Sequence, residues 1–542
     1  MNSAAWPLVV TCGLFAILAT CGFVGCGCGD DDDDSGGGGD DDVSDDDADD
    51  DATDDDAVDD DSDDDASDGP TVLDISPPDG ATDLRLLTVV EVTFSEPMDA
   101  ASVEGLFDTG GVAGAFTWDA SGEILTFTPD DALDEDTTYN FAIGAGALSL
   151  DGDAMADSTL FGFSTVDLWT RTANGADDNQ DRGMEVATDA DGSAWVCGIE
   201  TSTTELQNMW FGVWDASGDP MWSETYNNDL DSNDVAWGIA PTGDGGFVVV
   251  GSEPTGGPDT LASIRRYDEF SGEEWDIVFD GGDDGSNRAH DVRLGGDGFI
   301  YVGGFIVESM EGLNAWVGKY DADGDEDWFE SWDGGDALDD GIRAVTVDRD
   351  GNVIAAGFTT ITGESENVLV RKFDPDGAEI WTRTYNNPDV GINEQAYGVD
   401  VDADGNIYVT GHETVGAADT DIWVRKYDPD GEILWTESWG GGADSQDRGN
   451  DVAVGPNGEI YVVGFVISTA TSADIFIRRM DPADGSEIWT DTVDVDNGST
   501  EEANAVAVDS AGNVYVAGSI PVTGESTNIW LRKYDPDGYW AE

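Results

Sequence analysis

The chain has 542 residues, 20 of them Lys or Arg against 119 Asp or Glu, for a formal net charge of −99. With 39% hydrophobic and 10% aromatic residues there is material for several folded domains. So acidic a surface excludes nucleic acid and anionic membrane as partners.

Residues 6–26 carry no charge, and the first basic residue of the chain is Arg85. An uncharged apolar run at the N-terminus reads as the core of an export signal. It ends in Phe23-Val24-Gly25-Cys26, which resembles a bacterial lipobox. That resemblance implies a signal over 1–25 and a lipid on Cys26, the new N-terminus. Leu18-Ala19-Thr20-Cys21 is a competing lipobox. An uncleaved membrane-spanning helix, for which ~20 apolar residues suffice, and plain secretion are the alternatives. Each takes the protein out of the cytoplasm. Four of the five Cys (Cys12, Cys21, Cys26, Cys28) lie in or beside this segment. The fifth, Cys197, is expected to be buried as a small apolar strand residue.

Residues 26–69 form the next segment, with 24 Asp between positions 30 and 68, mostly in runs separated by Ala, Val, Ser or Thr after a Ser-Gly-Gly-Gly-Gly stretch ending at Gly39. No core can form from them and like charges repel, so a disordered, extended tether is expected. At ~3.4 Å per residue, residues 30–68 reach at most ~130 Å.

From 70 to 166 short runs alternate apolar and polar residues (89–94, 124–128, 139–143, 161–165), punctuated by Pro, Gly and Asp. The pattern predicts an all-β sandwich. The stretches Ser76-Pro-Pro-Asp-Gly-Ala81, Val92-Thr-Phe-Ser-Glu-Pro-Met98 and Leu125-Thr-Phe-Thr-Pro129 resemble the bacterial Ig-like domain of the SbsA type. The resemblance implies a spacer or adhesive module and carries over no catalytic residue.

Beyond 167 one phrase recurs. Its clearest copy is Asp400-Val-Asp-Ala-Asp-Gly-Asn-Ile-Tyr-Val-Thr-Gly411, followed by Asp421-Ile-Trp-Val-Arg-Lys-Tyr-Asp-Pro-Asp-Gly431. The closing glycine recurs as Gly198, Gly251, Gly304, Gly357, Gly411, Gly464 and Gly518, at spacings of 53 or 54 residues. A period of this length marks an array of one supersecondary unit. Four short strands per repeat, taken for the sixth as 435–439, 451–454, 459–463 and 474–480, predict a seven-bladed β-propeller over 167–542. A β-solenoid is the structural alternative. The repeats resemble the SBBP family of bacterial β-propeller repeats and, more distantly, the NHL type. The chain stops at Glu542 where a Trp-led strand is due, and Leu168-Trp169-Thr-Arg-Thr172 at the other end matches the missing strand. Residues 168–172 are therefore expected to pair with the last repeat.

Asp400-Val-Asp-Ala-Asp-Gly405 sets three carboxylates at alternate positions, and calcium is one reading of it. The first turn residue becomes Gly295 or Gly455 elsewhere while the turn glycine stays, so backbone geometry is the preferred reading. Eleven basic residues share one strand place: Arg265, Arg266, Lys319, Arg371, Lys372, Arg425, Lys426, Arg478, Arg479, Arg532 and Lys533. They form either a cationic ring for an anion or, as preferred, ion pairs and stacking between blades. His290 and His412 occupy non-equivalent repeat positions, and no nucleophile–base set, zinc spacing or phosphate loop is visible. No catalytic, cofactor or metal residue is assigned. The expectation is an exported, lipid-anchored, monomeric envelope protein that binds an extracellular protein or polysaccharide without turning it over. The alternative is an extracellular glycan-acting hydrolase or lyase with an acidic site in the funnel.

Overall fold

The computed structural model describes residues 69–540, apart from 176–178, 204–205, 229, 231–232, 270–271, 283–284, 309–311, 336–337, 364, 388–392, 417–418, 443–444, 468–471 and 496–498. The signal, both lipobox cysteines (Cys21 and Cys26) and the acidic tether lie outside the described residues.

Among the described residues the fold is all-β save one short helix, Ala100–Leu106, which the sequence reading did not anticipate. Asp99 caps it by accepting from the Ser102 amide at 2.9 Å. The first domain is a sandwich of two four-stranded sheets. One runs Val72–Ser76, Val90–Phe94, Ile124–Pro129, Gly114–Trp118; the other runs Ala81–Leu84, Thr159–Thr165, Thr138–Ile143, Phe107–Asp108. Alternation along these strands sends Val90, Val92, Phe94, Leu125, Phe127, Phe141 and Phe161 into one core.

After it come seven four-stranded antiparallel sheets consistent with propeller blades. The fifth is typical: Gln395–Val401, Ile407–Gly416, Asp419–Tyr427 and Ile433–Trp439, hydrogen-bonded in that order. This moves the repeat boundary. The Trp-led strand, assigned above to the start of the following repeat, closes the sheet of the three strands before it. The reason is the short turn Asp428–Gly431. Gly431 takes φ 78° there and the Gly431 amide bonds back to the Asp428 carbonyl, so the chain returns at once beside Asp419–Tyr427. The seventh sheet takes its fourth strand from the other end of the domain, Thr170–Ala173, as the sequence match implied.

Each first strand packs on the first strand of the following sheet, and that of the seventh packs on that of the first. The fourth-strand tryptophans tie the joints. Trp275, Trp328, Trp381, Trp435 and Trp489 each donate Nε1 to a turn carbonyl of the next sheet at 3.0–3.2 Å. Trp169 does the same from the seventh sheet to Ala216 O of the first at 3.1 Å. The Ig-like domain rests on the same side of the array. Leu86, Val166 and Leu168 form a small buried cluster, Arg85 pairs with Glu459 at 3.2 Å, and the Leu86 amide donates to Asp535 at 3.3 Å.

The recurrent glycine is fixed by space rather than by φ. Gly411 faces Trp423 across the ladder, and a Cβ on it would collide with the Gln395 carbonyl oxygen; Gly198, Gly304, Gly357, Gly464 and Gly518 are equally tight. Gly411→Ala should therefore cost about 2–3 kcal/mol of stability, an overpacking penalty against a backbone atom that cannot rotate away. Chemical denaturation measures it, and Gly243→Ala, where an added Cβ meets nothing and φ lies outside the left-handed region, serves as the comparison.

Candidate functional site

The first strand of every sheet carries a β-bulge opposite its recurrent glycine. In the fifth sheet Ala396 faces Gly411 and Gly398 faces Thr410, so Tyr397 has no partner residue. The same shift leaves out Met184, Trp237, His290, Arg343, Asn450 and Asn504 in the other six. A bulge redirects the extra side chain out of the ladder. All seven meet around one cavity of about 280 Å³, with Arg182, Arg288, Arg448 and Glu502. Asn450 and Asn504 fasten its wall: their Nδ2 atoms donate at 2.8 Å to Ala503 O and to Gly183 O, the second joining the seventh sheet to the first.

The floor is an ionic layer. Arg293 Nη1 lies 2.9 Å from Asp291 and 3.6 Å from Glu185. Asp291, Asp400 and Asp451 each accept a backbone amide from the following sheet, from Val345, Val454 and Val506 at 2.7–2.9 Å. Burial raises these carboxyls, Asp451 to about 7, while Arg293 opposes the rise.

Above the floor the chemistry is cationic and aromatic. The Arg288 guanidinium sits 3.9 Å from the Trp237 ring centroid and 5.1 Å from that of Phe305. Arg343 and Arg448 each lie 4.7 Å from Tyr397, backed by Phe358 and Phe465 at 5.3 and 5.0 Å. Arg182, Arg288, Arg343 and Arg448 form no ion pair with any described residue. Burial, with Arg343 adding repulsion, lowers the Arg288 guanidinium to about 10. Burial and then Arg288 and Arg343 push His290 well below the usual imidazole range. Burial and then Arg448 push His412 to about 4. Both imidazoles are neutral at pH 7. They approach the same site after all: His290 stacks on Trp237 at 5.2 Å, and His412 lies 5.7 Å from Tyr397.

The eleven strand cations lie elsewhere and serve the joints. Lys426 donates to Pro482 O at 2.9 Å and Arg479 to Pro536 O at 2.9 Å, the same carbonyls that Trp435 and Trp489 reach. Arg265, Arg371, Arg425 and Arg478 stack on Tyr226, Trp332, Tyr385 and Trp439 at 4.1–4.3 Å. Cys197 is fully buried. In the Asp400–Gly405 loop the carboxylates turn apart: Asp400 to Val454, and Asp402 to the Asp404 and Asn406 amides of its own turn. One carboxylate trio among the described residues, Asp474, Asp494 and Glu501, brings ligand atoms within 4.8 Å of each other, close enough to share a cation.

The bulge residues were missed in the sequence because the search was for what repeats. Each stands fourteen residues before its recurrent glycine, where the seven copies read Met, Trp, His, Arg, Tyr, Asn, Asn.

Residues 66–165 match the family model of the bacterial Ig-like domain. No curated protein matches the chain. Among solved structures it is similar to polysaccharide lyase Uly1, at 12% identity over 66% of this chain and 90% of that one, TM-score 0.44. It is also similar to puromycin hydrolase, at 14% over 67% and 54%, TM-score 0.42. A third is quinohemoprotein alcohol dehydrogenase from Comamonas testosteroni, at 11% over 69% and 78%, TM-score 0.40. At such identities and scores none of them says what this chain binds or does. What family membership there is belongs to the first domain, a bacterial Ig-like domain.

Proposed function

We propose that the seven sheets close into a seven-bladed β-propeller of the SBBP repeat type over 167–542. The propeller is the head of an exported envelope lipoprotein, joined through the Ig-like spacer (70–166) and the acidic tether (26–69) to a lipid on Cys26. The head binds an extracellular protein or polysaccharide without turning it over. One observation carries this reading: a frame that repeats seven times presents seven mostly different side chains to a single cavity. Sameness in the frame serves stability, and difference at one address serves recognition. The polar groups converge from strand bulges at a nearly constant period rather than from loops of unequal length, which favours a binder over an enzyme. The floor carboxylates favour it too, being occupied by Arg293 and backbone amides.

Glycan-array and pull-down screening of the full-length protein tests the reading. Capture of a ligand recovered unchanged supports it; release of cleaved or unsaturated sugar products overturns it. The anchor has its own test. Cys26→Ala should leave an uncleaved precursor that incorporates no labelled fatty acid. Lipidation persisting in that variant moves the site to Cys21, and none in the wild type returns the anchor to the transmembrane or secreted alternatives.

A further inference from the structure

Resting on that reading, we infer that the cavity is a site for a sugar acid, one ring-sized unit carrying a carboxylate and hydroxyl groups. The chain has 20 basic residues against 119 acidic ones, yet four arginines converge here without a described carboxylate partner. Three of them are held between aromatic rings: Arg288 by Trp237 and Phe305, Arg343 by Tyr397 and Phe358, Arg448 by Tyr397 and Phe465. A guanidinium whose faces are covered bonds through its N–H edge, and that fork matches a carboxylate. Much of that edge is uncommitted to acid: Arg343 Nη2 donates to Gln395 at 3.1 Å while its buried Nε has no partner, and Arg448 Nε donates only to the amide of Asn450 at 2.5 Å.

Size and the remaining charge narrow the class. At about 280 Å³ the cavity lies at the small end of ligand sites, room for one ring and not for an extended peptide. Glu502 lines it beside the arginines and is an acceptor that needs a donor. A bare oxyanion has no donor to give it; a hydroxylated carboxylate has both. The surrounding field of a −99 chain repels anions, so affinity for one must come from this cluster and must weaken as salt is raised.

Calorimetric titration of the full-length protein with glucuronate, galacturonate, glucose and sodium sulfate tests the assignment. At least one uronate should bind, glucose should not, and binding should weaken with added sodium chloride. Arg343→Gln and the exposed Arg182→Gln should each weaken uronate binding about tenfold, as expected for losing one charge-assisted hydrogen bond. Arg349→Gln, on an exposed turn outside the cavity, should leave it unchanged. Sulfate binding as tightly as a uronate, glucose binding equally, or uronate affinity indifferent to both Arg182→Gln and Arg343→Gln overturns the assignment. Those results leave the binding head intact if the screen finds another ligand. Conversely, a uronate polymer that is bound through these arginines and also cleaved keeps the assignment and overturns the non-enzymatic reading.

Discussion

A chain lacking residues 167–173 should melt roughly 10 °C or more below the full-length protein, whereas removal of seven tether residues leaves the melting temperature unchanged. The deleted strand supplies the seventh sheet with its outer ladder, Thr170–Ala173 against Arg532 through Ile529. It also supplies Trp169, 2% exposed, whose indole nitrogen bonds Ala216 O in the first sheet and whose carbonyl accepts the Lys533 amide at 2.9 Å. Arg171 adds two bonds to the same turn, to Gly218 O at 2.6 Å and Ser217 O at 3.2 Å. Without them strand Thr527–Tyr534 shows a bare edge and its apolar partners meet water. Trp169→Ala alone should cost about 3–5 kcal/mol, the usual range for emptying a buried aromatic site. A melting temperature that survives the deletion removes the case that this strand seals the joint.

Stability should rise as pH is lowered from about 8 to about 5.5, the reverse of ordinary acid sensitivity, because the raised carboxyls outnumber the two buried imidazoles, His290 and His412, which oppose the rise below about 6.5. Seventeen residues before the recurrent glycine, at the start of each first strand, the residue is buried and acidic in six sheets, and among these Asp234 and Glu394 are both pushed up to about 7, chiefly by burial. Asp181 and Asp340 move in the same direction for the same reason. A carboxyl with a folded-state pKa above its unfolded value of about 4 binds a proton more readily when folded. Its contribution is thus fully present below about 4 and is lost as pH climbs through about 7. The third sheet shows what replaces the charge. There Asn287 accepts the Val307 amide and donates to Thr260 O, both at 2.8 Å. Asp234→Asn with Glu394→Gln should accordingly flatten the slope between pH 5.5 and 8 and raise stability at the alkaline end. An unchanged slope in that double variant takes the dependence away from these two groups and leaves it to the other raised carboxyls, Asp451 among them, and to the general repulsion of a −99 chain.

The sheets were legible because their signals are local. Gly405 and Gly431 mark turns, alternation in Ile407–Gly416 marks a strand, and a fixed period reveals the array. Even the displaced strand could be read, since Leu168-Trp169 matches Leu434-Trp435. The grouping of strands into sheets was misplaced by one, because sequence order does not say on which side of a turn the hydrogen bonds fall. The cavity was opaque for a different reason. A bulge is a fact of pairing between two strands, and residues such as Arg343 and Tyr397 meet only when seven sheets are set side by side. The arginines drew no notice singly, since Arg182, Arg288, Arg343 and Arg448 stand at two different offsets in the repeat.

The bulge separates two demands that most binding sites must reconcile. The kink at positions such as Tyr397 is held by the pairings on either side of it, and the seven sheets keep it with residues as unlike as Met184, Trp237 and Asn504. Backbone shape there is indifferent to the side chain. A change of one bulge residue can thus rewrite one contact of the cavity wall and leave the strands in register. The array is in this sense a socket with seven interchangeable contacts, and a new specificity can be reached in it by single steps, each through a folded intermediate.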